Sequence, residues 1–513
     1  MAAMKHTGRI GSAVFVTSVC VSLAVGVMAP PAAAAPTPEP GQTSAPQVTW
    51  GSCQRFLGDD ADALRTAQCA AVPVPISDAD PAGPQAQLAV IKIPASGERI
   101  GALFINPGGP GASAVDAAAG MGYALAGSPI AEHFDIVGFD PRGVGYSTPE
   151  VRCRTDAEFD AWRRDPMVDY SPAGVAAIEQ INRDYAKECA DKMGTAFLAG
   201  LGTDSAAKDM DTIRQVLGDD KINYLGFSYG TELGTAYLEK FANRVRAMVL
   251  DGAIDPAQDT VDSIIQQMDG FQVVFNDYAA DCAKSAGCPL GTDPAHWVDR
   301  FHQLVDPLVT NPGPTSDPRG LSYTDAITGT FNALYTPQYW KFLTSGLLGL
   351  QRQTDAGDLL MLADEYEGRN LYGHYNNGQD AFNAVRCVDA PTPTDPAVWA
   401  EIDRRTRELA PFQAYGQFTG FAPRDLCAFW PVPPTSEPHP APPAPPGSVV
   451  VVSTTHDPAT PYEAGVGLAR ELGAPLVTYD GTQHTVVFNG DECIDLAIMN
   501  YFINLTPPVN LHC

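Results

Sequence analysis

Ser228 lies at the apex of Gly226-Phe227-Ser228-Tyr229-Gly230, a Gly-x-Ser-x-Gly pattern. A strand-like run, Ile222–Leu225, precedes it and a helix-like run, Thr231–Phe241, follows it. Strand, sharp turn and helix present a serine hydroxyl at the top of a sheet as a nucleophile. The glycines at 226 and 230 avoid Cβ collisions in so tight a turn. A serine hydroxyl is a weak nucleophile, so it needs a base within reach and a group to orient that base.

Two late strand-like runs supply both partners. Ser448–Ser453 leads into Thr454-Thr455-His456-Asp457-Pro458, and Ala474–Tyr479 leads into Asp480-Gly481-Thr482-Gln483-His484. Asp457 and His484 thus fall at the carboxyl ends of adjacent strands, where open parallel sheets build their sites. The chain order serine, acid, histidine gives Ser228 as nucleophile, His484 as base and then acid, and Asp457 as orienting carboxylate. Asp251 and Asp255, after an earlier strand, are rival acids. His456 comes too early in the order and reads as structural.

The tetrahedral intermediate needs two donors for its oxyanion. The N–H of Tyr229, at a helix start, is one. The other comes from the loop Asn106-Pro107-Gly108-Gly109-Pro110-Gly111. Pro110 has no N–H, and Gly109 is the choice. Asp140–Ser147 (DPRGVGYS) lacks the Walker lysine and the third Rossmann glycine, so it reads as a structural loop with Arg142 paired to a buried carboxylate. Ser228 stands where dehalogenases and epoxide hydrolases need a carboxylate. The chemistry calls for no cofactor and no metal.

The elements that must position these groups alternate. Strand-like runs at Gln87–Ile93, Gly101–Asn106, Asp135–Phe139, Ile222–Leu225 and Val245–Leu250 are separated by helical stretches such as Gly174–Lys192 and Thr203–Leu217. That alternation predicts an α/β fold, a mostly parallel, doubly wound sheet. After Pro256 the period becomes helical, and Pro431–Pro446 reads as a solvated return loop. The expected organisation is a core in two parts, 48–258 and 447–513, with a helical cap and Pro-rich return at 259–446 inserted before the last strands.

Lys5, His6 and Arg9, then apolar Ile10–Val27, then Ala32–Ala35, form an export signal. Cleavage is expected after Ala34, with residues 35–47 as a disordered lead-in. Beyond the signal no run is long and apolar enough to span a membrane, so no stable membrane insertion follows cleavage and the protein is expected outside the cell or in its envelope. Ten of the 11 cysteines lie beyond the signal, and an even number in an exported chain reads as disulfides. Proximity in sequence suggests Cys53–Cys69, Cys153–Cys189, Cys282–Cys288, Cys387–Cys427 and Cys493–Cys513. A net charge of −28 argues against nucleic-acid binding.

Together NPGGPG, DPRGVGYS, GFSYGTELGTAY, HDPATP and GTQH, in this order, closely resemble the exported tripeptidyl aminopeptidases of actinobacteria and their mycobacterial carboxylesterase A-type serine protease relatives, over about residues 50–513. The resemblance implies an α/β-hydrolase core, a helical cap, a triad at Ser228, Asp457 and His484, and release of short peptides from free N-termini of peptides or proteins. One departure is that Ala112-Ser113-Ala114 follow NPGGPG where the family has further glycine and serine. The resemblance also implies a cap carboxylate for the substrate amine, with Glu365, Glu367 and Asp389 as candidates. The alternative function is a carboxylesterase or lipase using the same triad, and a third is a silent envelope-binding protein.

Overall fold

The computed structural model describes residues 46–58 and 64–513. The expected signal segment and its cleavage point lie outside the described residues, as does most of the lead-in.

Among the described residues eight strands form one sheet: β1 (Gln68–Pro75), β2 (Gln85–Ile93), β3 (Gly101–Asn106), β4 (Phe134–Phe139), β5 (Ile222–Phe227), β6 (Val245–Asp251), β7 (Val449–His456) and β8 (Leu476–Thr482). Their spatial order is β1-β2-β4-β3-β5-β6-β7-β8. The β1–β2 and β2–β4 pairs are antiparallel, and every pair from β4 to β8 is parallel. β1 has no counterpart in the sequence reading. Pro73 and Pro75 argue against a central strand, but at the sheet edge a missing N–H costs no ladder bond.

The central strands are apolar on both faces because both are covered. Phe104, Tyr224, Met248, Leu250 and Val451 join one buried cluster. Their neighbours Leu103, Ile105, Leu225, Val249 and Val450 join another on the opposite face. This is why GALFIN and VVVV read as continuous apolar runs instead of alternating ones.

Between β6 and β7 the chain is helical and builds its own core around Phe271, Phe275, Phe301, Leu347 and Phe412. Capping starts its first long helix, Thr260–Cys282, where Asp259 accepts the N–H of Asp262 at 2.9 Å. Specific polar contacts fasten this segment to the sheet loops. Asn377 accepts from the N–H of Gly145 at 3.0 Å and donates to the carbonyl of Gly143 at 2.7 Å. Gly111 lies so close to the helix Gly378–Asp389 that a Cβ there would sit 2.5 Å from the Gly378 carbonyl. Arg142 pairs with buried Asp209 through contacts of 2.7 and 2.8 Å, as its loop's sequence suggested.

All five disulfides anticipated from cysteine spacing are present: Cys53–Cys69, Cys153–Cys189, Cys282–Cys288, Cys387–Cys427 and Cys493–Cys513. They fit an oxidising extracellular or envelope setting. Among the described residues no helix is long and apolar enough to cross a membrane.

Candidate active site

β5 delivers Ser228 to its turn with φ 54° and ψ −125°, a conformation costly for any residue bearing a Cβ. The surroundings enforce it. The Ser228 N–H donates to the Asp251 carbonyl at 2.9 Å, continuing the β5–β6 ladder. The Ser228 carbonyl accepts from the Thr231 N–H at 2.8 Å and its hydroxyl at 2.7 Å. A Cβ at Gly226 would lie 2.4 Å from the Gly230 carbonyl, and one at Gly230 would lie 2.8 Å from that of Asn106. The two flanking glycines are therefore required by backbone contact.

β7 and β8 bring the other two groups together. His484 Nδ1 lies 2.8 and 3.0 Å from the two carboxylate oxygens of Asp457. Asp457 is buried and accepts the N–H groups of Ala459 and Thr460, each at 2.9 Å, which fixes its orientation. Burial disfavours the charged imidazole, yet the Asp457 charge and hydrogen bond, aided by Asp251, outweigh it, so the His484 pKa lies above its usual value. Ser228 and His484 line the same cavity, of about 820 Å³.

Gly109 lines this cavity with Ser228. Its neighbour Gly108 is pressed onto the elbow, where a Cβ would sit 2.6 Å from the Phe227 carbonyl and 3.2 Å from the Tyr229 nitrogen. Both Gly108 and Gly109 have positive φ, 95° and 108°. Tyr229 opens the helix Tyr229–Phe241, so its N–H lacks an intrahelical acceptor. The Tyr229 N–H is thus free of the helix ladder at the elbow, and the Gly108-Gly109 backbone runs beside it. After Gly111, Ser113 caps the helix Ala114–Ala124 through the Asp116 N–H at 3.1 Å and donates to Asp140 at 2.9 Å.

Of the other acids considered, Asp251 is fully buried and accepts the N–H groups of Val486 and Val487 at 2.8 and 2.7 Å. It holds the loop that carries His484, and among the described residues it makes no hydrogen bond to the imidazole. Asp255 accepts the Ala257 N–H in its own turn. His456 is half-exposed beside Asp277 at 2.6 Å.

The three amine-binding candidates go to three places. Glu365 lines the cavity of Ser228 and His484 and accepts from the Tyr339 hydroxyl. Glu367 is buried away from it, its pKa pushed up to about 7 by burial against the favourable charge of Arg163. Asp389 lines a neighbouring cavity of about 560 Å³. Tyr335 also braces the base, although no motif in the sequence marks it. Its carbonyl accepts the His484 N–H at 2.9 Å, and its ring meets the imidazole edge-on at 5.2 Å. No local pattern marks a contact between residues so far apart in the chain.

A strained serine at a β–helix turn and a histidine held by a buried aspartate, lining one cavity, define a serine hydrolase of α/β fold. The alpha/beta hydrolase fold family matches residues 101–491, and the chain belongs to it. It is 64% identical over 521 residues to carboxylesterase B of Mycobacterium tuberculosis, covering 100% of both chains. It is 54% identical over 477 residues to the serine protease Hip1 of the same species, covering 91% of each. It is 31% identical over 471 residues to the tripeptidyl aminopeptidase of Streptomyces lividans, covering 89% of this chain and 84% of that one.

Proposed function

We propose that this protein is an exported serine peptidase that releases short peptides, tripeptides above all, from the free N-termini of peptides or proteins. Ser228 Oγ attacks the scissile carbonyl while His484 takes its proton. The N–H groups of Gly109 and Tyr229 hold the oxyanion. His484 returns the proton to the leaving amine, and water then cleaves the acyl-enzyme by the same route. Residues 259–446 act as the cap that bounds the cavity.

The observation that carries this reading is Glu365, a carboxylate facing the cavity shared by Ser228 and His484. An ammonium drawn from water into such a cavity needs a counter-charge. A simple acyl ester has no use for one. The second reading is a carboxylesterase with the same machinery, favoured by the 64% identity to carboxylesterase B.

The deciding experiment uses the purified mature protein on a tripeptide amide with a free or an acetylated amine, beside a short acyl ester and a Ser228→Ala control. Cleavage of the free-amine peptide alone, lost in the control, is the expected result. Ester turnover without peptide cleavage would replace the peptidase reading with the esterase one.

A further inference from the structure

A second cavity of about 560 Å³ adjoins that of Ser228, and Ile254, Ser263 and Gln267 line both. Its lining is acidic: Asp204, Glu239 and Asp425 are paired with Lys240, His439 and Arg386, whereas Glu232 and Asp389 have no cationic partner among the described residues. Glu232 stands four residues beyond Ser228 on the helix Tyr229–Phe241. Asp389 accepts the Thr203 N–H at 2.6 Å and the Thr203 hydroxyl at 2.7 Å. The same hydroxyl oxygen lies 2.5 Å from the Tyr229 hydroxyl, so the acid is braced against the nucleophile turn.

These two acids lack a counter-charge. The cations on the cavity wall are already engaged, Arg386 with Asp425 at 2.9 Å and His439 with Glu239 at 2.9 Å. The Glu232 carboxyl, on a half-buried side chain, opens onto the cavity and has neither a hydrogen bond nor an ion pair among the described residues. Burial first, and then the repulsion of Asp389, raises the Glu232 pKa, and burial raises that of Asp389. Such a pair is stabilised by an organic cation that enters between them.

We infer that Glu232 and Asp389 form a subsite for a cationic substrate side chain, lysine or arginine, on the residue whose carbonyl Ser228 attacks. The reach favours the side chain over the amine. Four residues of helix carry Glu232 about 6 Å from Ser228. The amine of an extended tripeptide lies roughly 10 Å from its scissile carbonyl, whereas a lysine stem is four carbons long. This inference names the substrate class of the proposed peptidase and rests on that reading for its peptide substrates.

The test compares Ala-Ala-Lys and Ala-Ala-norleucine aminomethylcoumarides, with free amines, on the wild-type protein and Glu232→Gln. Lysine exceeds norleucine in kcat/KM by about 10-fold or more in the wild type, and the ratio collapses by about 10- to 100-fold in the variant. Equal turnover of the two peptides by the wild type overturns the subsite without reference to any variant. A ratio unchanged in a Glu232→Gln protein with wild-type thermal unfolding overturns it too. Loss of rate on both peptides after acetylation, with no lysine preference, would assign the acids to the amine and refute the side-chain subsite. If no peptide is cleaved, the peptidase reading fails separately. Amine-blocked lysine and norleucine esters then decide the subsite alone, by preference for lysine or its absence.

Discussion

The main-chain N–H of His484 donates to the carbonyl of Tyr335 at 2.9 Å, and the Tyr335 ring meets the imidazole at 83°. The base is therefore held from two sides, by Asp457 from the sheet and by Tyr335 from the helical segment. Tyr335→Ala removes the ring and leaves the carbonyl. We expect kcat/KM on a small ester to fall roughly 10- to 100-fold, because a misplaced base costs rate steeply. Tyr335→Phe, which keeps the edge-on ring, should retain most of the activity. Equal losses in both variants would show that the ring contact does not position the base.

The base works only as neutral imidazole, and its pKa is raised above the ordinary value. Below that raised pKa His484 is protonated and idle, so kcat/KM should climb with pH through an inflection above about 6.5. Asp457→Asn removes the charge that raises it. The inflection should move to lower pH while the maximum rate drops by roughly 10⁴. A pH–rate profile of the two proteins measures both effects, and an inflection unmoved by the substitution would count against Asp457 as the partner.

Asp251 behaves unlike a paired surface acid. Burial pushes its pKa up to about 7, with the Val487 and Val486 N–H groups opposing and Asp457 reinforcing the rise. A folded pKa above the unfolded value of 3.8 means that the folded state binds more protons between these values. The contribution to stability is complete below about 3.8 and is lost as pH rises through about 7. Asp251→Asn keeps an acceptor for both N–H groups and removes the titration. Its thermal midpoint should fall less between pH 5 and pH 8 than that of the wild type. Glu232 and Asp389 shift the same way in both proteins, so the difference between the two slopes is the quantity to read.

The strain at Ser228 depends on its glycine neighbours. Gly226→Ala puts a Cβ 2.4 Å from the Gly230 carbonyl, a backbone atom with nowhere to go. We expect a loss of about 1–3 kcal/mol in stability and failure of Ser228 to react with a fluorophosphonate probe. Normal labelling would mean that the turn tolerates the methyl group.

Cys387–Cys427 closes a loop of 40 residues and ties the end of the helix Gly378–Asp389 to Leu426–Phe429. Replacing both cysteines by serine should cost up to about 4 kcal/mol on a chain-entropy estimate. A calorimetric scan that left the midpoint unchanged would place this segment outside the cooperative unit.

The parts of the molecule that repeat local rules can be read along the chain. Gly226, Ser228 and Gly230 require a particular turn, apolar runs such as Val449–Val452 require burial on both faces, and the order serine, aspartate, histidine follows from strands laid side by side. The cysteine pairs were legible because each bridges near neighbours in the chain. β1 was not, since Pro73 and Pro75 look like breakers until their strand is seen at an edge. Which acids face which space is set by the packing of the helices on the sheet. Glu365 and Glu367 are two residues apart, yet one turn of chain sends the first to the cavity of Ser228 and buries the second. Asp389 and Glu232 are distant in sequence and meet across a second cavity, and Tyr335 reaches His484 from another layer. Such contacts depend on how packed helices are turned against a sheet, and no spacing along one chain encodes that rotation.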